Sequence, residues 1–234
     1  SNNPGPYTIS DKLDGVSGMN TSSSLYTRGN GIVGVDISHL IPYVRGIGKL
    51  PSGIKAIRGE LCFLRDTFTR KYAKKFKNAR NLTSGVVNSK EVNMIAKDLI
   101  FIVHGIVAPN KRLSAVASQL KSNKFNVVQF VERAKIDEAW LLSYLAKRRE
   151  DSTVDIDGLV IASKNSIIAF KAGYESAQVI VEKIEWNESR FGYMTPVVII
   201  KNPVKLAGVT VSRVSAHNAR FLVDNKIGKG AVIE

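Results

Sequence analysis

The chain carries, near its start, a lysine in a pattern in which lysine amines act as nucleophiles. Lys12 is followed by a leucine, Asp14 and Gly15. An amine attacks only when it is neutral, so burial or neighbouring cations must lower the pKa of such a lysine from about 10.4. Asp14 can orient the amine or hold a metal, and Gly15 permits a close approach of the backbone to a ligand. Because a solvated lysine before a turn has the same pattern, its meaning depends on the residues downstream.

Charged residues recur along the chain at predicted strand ends or beside glycines, where a mixed sheet presents side chains to a ligand cleft. Together with Lys12 and Asp14, the set comprises Arg28, Glu60, Asp157 and Lys171. Cations neutralise phosphate oxygens, and carboxylates hold Mg²⁺. The set therefore predicts nucleotidyl transfer, in which the lysine amine takes up the nucleotide as a phosphoramidate.

Single members of this set have plainer interpretations. Glu60 could form an ion pair with Arg58, and Asp157 could cap a turn before Gly158. Each of these alternatives stays open for its own residue. The prediction of nucleotidyl transfer depends on the ordered set as a whole and not on any one position.

The net charge is the most informative bulk property. The chain has 34 basic and 20 acidic residues, a formal charge of +14 and a pI of about 9.9. Such a charge favours a polyanionic partner, most often nucleic acid. Basic residues alternate with aromatic ones between Arg70 and Lys77, followed by Arg80. A solvated helix face explains this cluster as well as a DNA contact does.

Length and composition exclude several classes of protein. The 234 residues can hold one large domain, or one domain and a smaller one, with an ordinary hydrophobic fraction of 44%. No apolar run approaches the ~20 residues of a membrane helix, and the first residues are not those of a signal peptide. The single cysteine, Cys62, excludes an internal disulfide framework and a cysteine-cluster zinc site. We expect Cys62 to be buried and the protein to be cytoplasmic, without a membrane partner.

Hydrophobic periodicity predicts the elements that position the charged set. Residues 7–64 are rich in strand patterns, with a turn at Gly29-Asn30-Gly31. The run 99–107 is continuously apolar and predicts a central strand. The other predicted strands are 56–64, 154–163 and 166–171, and the predicted helices are 36–44, Asp66 to about Lys77, 90–96, 114–122 and one within 135–149. In that last helix, Trp140, Leu141, Tyr144 and Leu145 recur at helical spacing and predict a core-facing stripe.

From about residue 179 the pattern changes to strands and turns, with no helix pattern. The strand patterns are 179–186, 196–200, 208–213 and 231–233. This succession fits a small β-barrel. The barrel is expected to be incomplete, because the sequence ends within the last strand pattern.

The order of the charged motifs resembles that of the covalent nucleotidyltransferases, namely DNA ligases, RNA ligases and capping enzymes. The segments that carry this resemblance are Lys12-Leu13-Asp14-Gly15, Arg58-Gly59-Glu60, Asp157-Gly158-Leu159-Val160-Ile161 and Ala169-Phe170-Lys171.

Four further segments make the chain similar to the NAD⁺-dependent DNA ligases in particular. They are Tyr26-Thr27-Arg28-Gly29-Asn30-Gly31 with Gly34-x-Asp36-Ile37-Ser38, Asn78-Ala79-Arg80-Asn81 with Gly85, the run from Arg190 to Val197, and Gly208–Val214 leading to His217-Asn218-Ala219. The resemblance implies an α+β fold: a nucleotidyltransferase domain over residues 1–177, with ATP-grasp-like mixed sheets and flanking helices, and then a partial OB-fold β-barrel over 178–234. It also implies NAD⁺ as the AMP donor, Mg²⁺ as a cofactor and nicked double-stranded DNA as the partner.

Carried over residue by residue, the resemblance assigns a role to each matching position. It makes Lys12 the adenylated nucleophile, and it places Asp14, Glu60, Asp157 and Lys171 in the catalytic cleft. Asp14 and Glu60 would also serve Mg²⁺. The implied nucleotide-binding residues are Ser10, Gly15, Arg28 and Arg149, and the implied DNA-binding residues are Arg80, Arg190 and Arg213.

Several positions depart from the family pattern. Ser10 stands where the family usually has a glutamate that reads the adenine amino group, and Ala162 stands where it has a lysine. Lys164 lies two residues on and does not share the strand register of Ala162. The other departures are Val35 within the usual Gly-Glu-Asp, Ser166 in place of an aromatic residue, and Asn88 in place of a second DNA-facing arginine.

Two alternatives to an NAD⁺-dependent ligase core remain. One is an ATP-dependent polynucleotide ligase or related transferase, against which the barrel segment before His217-Asn218 argues. The other is a non-catalytic, basic nucleic-acid-binding scaffold, favoured by Ser10, Ala162 and Ser166. The family's nicotinamide mononucleotide-recognition, zinc-finger, helix-hairpin-helix and BRCT modules are not recognised in these 234 residues. Whether those modules were removed, are disordered or belong to a second polypeptide stays open.

Overall fold

The structure is a computed structural model that describes residues 6–29, 33–89, 91–109, 111–164, 166–172, 176–189, 192–206 and 209–234. The chain divides into two compact units, Ser1–Ala172 and Gly173–Glu234. The first unit contains two sheets and four α-helices, and the second contains one sheet and one α-helix among the described residues.

One sheet of the first unit, the lysine sheet, carries Lys12. Its four strands lie in the order β7-β1-β8-β9, and every described pair is antiparallel. The strands are β1 (Tyr7–Leu13), β7 (Phe130–Arg133), β8 (Ile156–Ala162) and β9 (Ile167–Phe170). Helix α4 (Glu138–Asp151) packs on one face, where Leu141 and Leu145 are buried beside Ile9, Leu159 and Ile161. The stripe predicted from Trp140 to Leu145 is therefore confirmed as core.

The second sheet of the first unit has five strands in the order β3-β2-β4-β5-β6. They are β2 (Val16–Asn20), β3 (Leu25–Thr27), β4 (Ala56–Phe63), β5 (Leu99–Ala108) and β6 (Asn126–Val127). β5 lies between β4 and β6, which confirms the predicted central strand. Helices α1 (Arg65–Lys71), α2 (Ala79–Val87) and α3 (Leu113–Ser122) contribute side chains to the larger hydrophobic core of this unit. Cys62 is 2% exposed in that core, as expected.

The second unit is built on a four-stranded antiparallel sheet in the order β12-β11-β10-β13. The strands are β10 (Val179–Glu188), β11 (Met194–Leu206), β12 (Val209–Ser215) and β13 (Val232–Ile233). A small core forms around Val181, Val198, Ile200 and Leu222. The expectation of no helix here is wrong, because α5 (Ala219–Asp224) begins at Asn218, whose side chain accepts a hydrogen bond from the backbone N–H of Phe221.

Three other predicted helices differ from the structure. The basic helix ends at Lys71, and Leu64 holds the N-cap position, so Asp66 lies in the first turn and does not cap it. The segments predicted as helices over 36–44 and 90–96 contain instead the short 3₁₀ helices Ser38–Leu40 and Met94–Asp98. Lys90 lies outside the described residues.

Helix α2 has no counterpart among the predicted elements. It begins at Asn78, whose side chain accepts a hydrogen bond from the backbone N–H of Asn81. The 3₁₀ helix Met94–Asp98 follows Asn93 in the same way, and α5 follows Asn218. Asparagine at the N-cap satisfies one of the free N–H groups of the first turn. This cap was the sequence signal for α2 and α5.

Candidate active site

The alternation of side chains along β1 divides its residues between two environments. Ile9, Asp11 and Leu13 face away from the cleft, and Ile9 joins the core beneath α4. Ser10 and Lys12 lie on the opposite face, where Ser10 is 8% exposed and the Lys12 side chain is 30% exposed. The lysine sheet therefore presents the amine on the face that is not covered by α4.

Lys12 contacts Asp157, and Asp157 also contacts Lys171. Lys12 Nζ donates to both carboxylate oxygens of Asp157 at 2.9 Å. Lys171 Nζ lies 3.1 Å from Asp157 Oδ2. Three of the residues that the sequence singled out thus form one cluster, in which a single carboxylate serves two ammonium groups.

A break in the strand register explains how Asp157 reaches this face. Lys12 is paired with Gly158, whereas the next residue of β1, Leu13, is paired with Ile156. Asp157 is therefore the additional residue on β8. Such a bulge redirects a side chain that regular alternation would send to the other face.

Gly158 is required by the neighbouring strand. A Cβ at position 158 would lie 2.4 Å from the carbonyl oxygen of Phe170 and 3.0 Å from Cγ of Lys171. A side chain there would push away the strand end that carries Lys171. Gly158 thus brings the two lysines to the same carboxylate.

Asp14 and Gly15 form the connection from β1 to the five-stranded sheet. Arg80, on the first turn of α2, donates to Asp14 Oδ1 at 2.6 Å. A Cβ on Gly15 would lie 2.2 Å from the carbonyl oxygen of Leu61 and 2.9 Å from Cγ of Glu60. The absence of a side chain at position 15 therefore has a structural reason within the protein, besides any approach of a ligand.

Glu60 lies on β4, opposite Ser17 of β2 and Ile102 of β5. Its side chain is 14% exposed, and its Oε2 lies 3.6 Å from Nε2 of His104. The sequence reasoning did not single out His104, which lies inside an apolar run. In the described part of the chain, the Glu60 carboxylate lies beside His104 and forms no ion pair with Arg58.

The charges of this region perturb two neighbouring groups. The hydrogen bond to Asp14 raises the pKa of the Arg80 guanidinium, and the carboxylates of Asp14, Glu60 and Asp157 add to this effect. Burial raises the pKa of the Cys62 thiol, which the negative charges of Glu60 and Asp14 raise further. Cys62 is therefore held as a neutral thiol beneath the site and is a poor nucleophile.

The remaining nucleotide-binding candidates are more dispersed. Ser10 pairs with Val160 on one side and with Phe130 on the other. Arg28 directly follows β3, where its backbone N–H donates to the carbonyl of Ser17 at 3.2 Å and its side chain is exposed. Arg149 is exposed on the last turn of α4.

Two of the positions that depart from the family pattern, Ala162 and Ser166, lie at the lysine sheet. Ala162 is paired with Thr8 at the far end of β8, and Lys164 follows in an exposed bend. Ser166 shares a hydrogen bond of 2.9 Å with Ser163 across the turn between β8 and β9. Lys164 lies beyond the end of the strand and is not in the ladder that Ala162 occupies.

The structure also shows two arginines that the sequence reasoning missed. Arg148 donates two hydrogen bonds to Asp11, from Nε at 3.0 Å and from Nη2 at 2.9 Å. Arg65 donates from Nε to Asp155 Oδ1 at 2.9 Å. An aspartate on the buried face of β1 was the available signal, because a buried carboxylate requires a partner.

In the second unit, Arg213 is the DNA-binding candidate that the structure describes. Its Nη2 lies 2.7 Å from Glu185 Oε2, and Lys183 Nζ lies 2.8 Å from Glu185 Oε1. Arg213 is thus an exposed cation that shares a carboxylate with a lysine. Arg190 lies outside the described residues.

Two features are absent from the described residues. No group of three or more histidine, cysteine, aspartate or glutamate side chains is arranged to hold a metal ion there. No helix in the described part of the chain has the length and apolar character needed to cross a membrane.

Comparison with known proteins relates this geometry to a family. The model of the NAD-dependent DNA ligase adenylation domain matches residues 2–178. A DNA ligase of Acanthamoeba polyphaga mimivirus is 35% identical over 250 residues, which cover 98% of this chain and 39% of the relative. A putative DNA ligase, 205R, of Invertebrate iridescent virus 6 is 37% identical over 254 residues, which cover 97% of this chain and 41% of the relative. The chain spans about two fifths of the length of these curated relatives.

Among solved structures, one from a study of DNA binding with a minimal scaffold in Lig E DNA ligases matches 99% of this chain and 85% of that chain. Its TM-score is 0.61 at 19% sequence identity, which shows a likeness of fold. The matched range, residues 2–178, is the part of the chain that contains Lys12, Asp157 and Lys171. The chain belongs to the family of NAD-dependent DNA ligase adenylation domains.

Proposed function

We propose that the first unit forms a covalent lysyl-AMP on Lys12, with NAD⁺ as the AMP donor, and that the AMP then passes to the 5′-phosphate of nicked DNA. The observation that carries this proposal is the contact of Lys12 Nζ with both oxygens of Asp157, in a chain that belongs to the adenylation-domain family. A nucleophile held directly against a potential proton acceptor is the arrangement that nucleophilic catalysis needs.

In the first step, Lys12 Nζ forms a bond to the adenylyl phosphorus of NAD⁺. The bond between that phosphorus and the bridging oxygen breaks, and nicotinamide mononucleotide leaves with the electron pair. The amine must lose a proton, and we propose Asp157 as the acceptor because its carboxylate lies 2.9 Å from Lys12 Nζ. Lys171, on the same carboxylate, would contribute a cationic side chain near the phosphate oxygens.

In the later steps, an oxygen of the DNA 5′-phosphate attacks the adenylyl phosphorus, and the P–N bond to Lys12 breaks. The 3′-hydroxyl of the nick then attacks the activated 5′-phosphate and displaces AMP, which seals the strand. Positioning and charge neutralisation would supply most of the reduction in barrier for both steps. Arg80 is the cation next to Asp14 that could contribute to them.

Magnesium fits this site only together with a phosphate. Mg²⁺ is usually held by one or two carboxylates, waters and substrate phosphate oxygens. Asp14 and Glu60 would provide the carboxylates, although Asp14 is paired with Arg80 and Glu60 faces His104. Bound there, Mg²⁺ would neutralise charge on the phosphate oxygens.

The other nucleotide contacts are proposed from position alone. Ser10 lies two residues before Lys12 on the cleft face of β1, so it would lie beneath the base or ribose of a nucleotide whose phosphate is at Lys12. Gly15 lies against β4 beside Glu60. Arg28 and Arg149 are exposed cations that would have to turn towards the phosphates.

We further propose that the second unit is a partial OB-fold that contributes to DNA binding. The support is its antiparallel sheet and the likeness of fold to a ligase structure. The proposed DNA contacts are Arg80, Arg190, Arg213 and the basic segment 70–77. Two of these cations already have carboxylate partners, Arg80 with Asp14 and Arg213 with Glu185, so a DNA phosphate must compete with them.

A labelling experiment tests the proposed adenylation. The chain is incubated with Mg²⁺ and either NAD⁺ labelled in the adenylyl phosphate or ATP labelled in the α-phosphate, and label on the protein is measured. Each donor is tested with and without the family's nicotinamide mononucleotide-recognition module added in trans. We expect weak labelling from NAD⁺ with the chain alone and strong labelling with the module, because remote binding energy orients the pyrophosphate.

Variants identify the residue and separate the alternatives. Lys12→Ala should abolish labelling, whereas Lys97→Ala, which changes an exposed lysine, should not. Labelling from ATP alone would favour an ATP-dependent ligase. Failure of labelling under every condition, with a folded protein, would favour a non-catalytic nucleic-acid-binding scaffold.

A further inference from the structure

The last turn of α4 contacts both of the segments that deliver the reacting groups. Arg148 binds Asp11, the residue before Lys12. Arg65 binds Asp155, two residues before Asp157, and its Nη1 also donates to the carbonyls of Arg149 and Ser152 at 2.7 and 2.9 Å. We call these contacts the α4 clamp.

The Asp11–Arg148 pair is the buried half of the α4 clamp. The Asp11 side chain is 3% exposed and that of Arg148 is 15% exposed. The hydrogen bond to Asp11 raises the pKa of Arg148, so the guanidinium stays charged. A bidentate contact of this kind fixes both the distance and the orientation of the two groups.

Stability alone does not account for a charge pair in this place. Asp11 lies on the same face of β1 as Ile9, which packs towards α4, and both residues are buried. Replacing a buried ion pair by hydrophobic residues of similar volume is often neutral or stabilising. Replacing Asp11 and Arg148 together by apolar residues would therefore not be expected to weaken the core, so the pair needs a reason other than stability.

The surrounding geometry indicates that the Asp11–Arg148 pair positions Lys12. The β1–β8 ladder is regular as far as Lys12 and shifts immediately after it. Pairing resumes at Leu13 with Ile156, so the bulged Asp157 interrupts the ladder directly beside Lys12. A slip of β1 by one residue would turn Lys12 into the core and Asp11 into the cleft. The contact between Asp11 and Arg148 opposes this slip at the residue next to the nucleophile.

The exposed half of the α4 clamp acts on the other reacting group. Arg65 is the first residue of α1, in the connection that follows β4. Asp155 lies in the connection from α4 to β8. The contact between Arg65 and Asp155 therefore joins these two connections. The backbone carbonyl of Asp155 in turn accepts a hydrogen bond from the N–H of Asp14 at 2.9 Å. The entry to β8, and with it Asp157, is thus held against the same helix end as Asp11.

We propose that Asp11 and Arg148, supported by Arg65, are positioning residues that set the distance between Lys12 Nζ and the Asp157 carboxylate. The proposal rests on the proposed function of Lys12. A displacement of about 1 Å between reacting groups can cost roughly 100-fold in rate. Loosening the clamp should therefore slow the formation of lysyl-AMP while leaving the affinity for the donor nearly unchanged.

The test uses a variant that keeps the core filled. The double variant Asp11→Leu/Arg148→Met removes both charges together, because a single change would leave one buried charge unpaired. Lys147→Met, which removes an exposed cation from the same turn, is the matched control. Circular dichroism and thermal melting first confirm that each variant is folded.

Two measurements are made on the full chain. The first is the single-turnover rate of AMP labelling against NAD⁺ concentration, with the nicotinamide mononucleotide-recognition module present. The second is the rate of acetylation of Lys12 by acetic anhydride, read by peptide mass spectrometry relative to the exposed Lys97. This second measurement needs no nucleotide, so it remains informative if the proposed adenylation fails.

For the folded double variant we expect a maximal labelling rate roughly 10- to 100-fold lower, with a half-saturating NAD⁺ concentration within about threefold of the parent. Acetylation of Lys12 should rise at least about threefold, because an amine that no longer donates two hydrogen bonds to Asp157 is more accessible to the reagent. The Lys147→Met control should match the parent in both assays. A folded double variant whose labelling and acetylation rates both stay within about twofold of the parent would overturn the proposal. If the parent itself is not labelled, the proposed function fails, and the acetylation result alone decides the role of the clamp.

Discussion

Replacing Gly15 by alanine should destabilise the first unit by an amount that the contacts around it define. The new Cβ would lie 2.2 Å from the carbonyl oxygen of Leu61, 2.7 Å from Sγ of Cys62 and 2.9 Å from Cγ of Glu60. Glu60 can move its flexible side chain, but the Leu61 carbonyl belongs to a strand with partners on both sides. The connection between β1 and β2 must therefore shift by about 1 Å to reach an ordinary carbon–oxygen contact.

The expected cost is that of overpacking a well-filled site, about 1–3 kcal/mol in the free energy of unfolding. For a unit of this size, each kcal/mol lowers Tm by about 2–4 °C, so the melting temperature should fall by roughly 2–12 °C. Gly85→Ala is the matched control. Gly85 lies in α2, and apart from its chain neighbours and the backbone of its own helix, no atom of the described residues is within 4 Å of a Cβ built there. Alanine in the interior of a helix is favoured over glycine by roughly 0.5–1 kcal/mol, so this variant should melt higher than the parent.

Thermal and urea unfolding of the two glycine variants would be followed by tryptophan fluorescence. The chain has two tryptophans, Trp140 in the first unit and Trp186 in the second. A Trp186→Phe background leaves Trp140 as the reporter, so the signal refers to the unit that contains Gly15. If Gly15→Ala melts within about 1 °C of the parent, the packing between position 15 and β4 is not as tight as these distances imply. If both glycine variants shift in the same direction, the explanation from local contacts is wrong.

Three further outcomes are expected. Burial, with the hydrogen bond to Asp98, raises the pKa of Tyr72 to about 12. The unfolded tyrosine ionises near ~10. After solvent screening, stability on the order of 1 kcal/mol is therefore present below about pH 10 and is lost as the pH rises through about 12. Urea unfolding of Tyr72→Phe should not show this alkaline loss, and an unchanged pH profile would contradict the assignment. Asp157→Asn keeps a hydrogen-bond acceptor for Lys12 and Lys171 but removes the proposed proton acceptor. The rate of single-turnover AMP labelling should therefore fall by about 10²–10⁴-fold. A labelling rate within about tenfold of the parent would argue against general-base action by Asp157. DNA affinity, measured by fluorescence anisotropy, should fall steeply as the salt concentration rises, because attraction to phosphates dominates binding. For the same reason, the affinities for nicked and intact duplex should differ little. Tight, salt-independent and nick-specific binding would show that the chain already holds a complete recognition surface.

Periodicity predicted the elements whose stability comes from burial of a continuous face. The central strand β5, the helix α3 and the core stripe of α4 were predicted from apolar spacing, and the structure contains all three. Elements that depend on local capping were missed. Helices α2 and α5 are short and begin at Asn78 and Asn218, and a single capping hydrogen bond leaves a weaker trace in the sequence than a repeated apolar pattern.

The contacts of the candidate site also divide into those that the sequence predicted and those that it did not. Lys12, Asp157 and Lys171 were predicted as a group and lie in contact. The contact of His104 with Glu60, and that of Arg148 with Asp11, could not be predicted from spacing, since each joins residues on different elements far apart in the chain. The burial of Asp11 on the α4 side of β1 is what indicates that a cation from another element must pair with its carboxylate.

The bulge at Asp157 shows why regular strand periodicity is insufficient for this site. Ile156, Leu159 and Ile161 all belong to the core beneath α4, and the first two are separated by an odd number of positions. Strict alternation cannot place both on the same face, so an additional residue must lie between them. That residue is Asp157, and Gly158 beside it allows Phe170 to approach closely. The interruption of the apolar pattern, which a search for regular strands treats as noise, is thus the feature that turns a carboxylate towards the lysine.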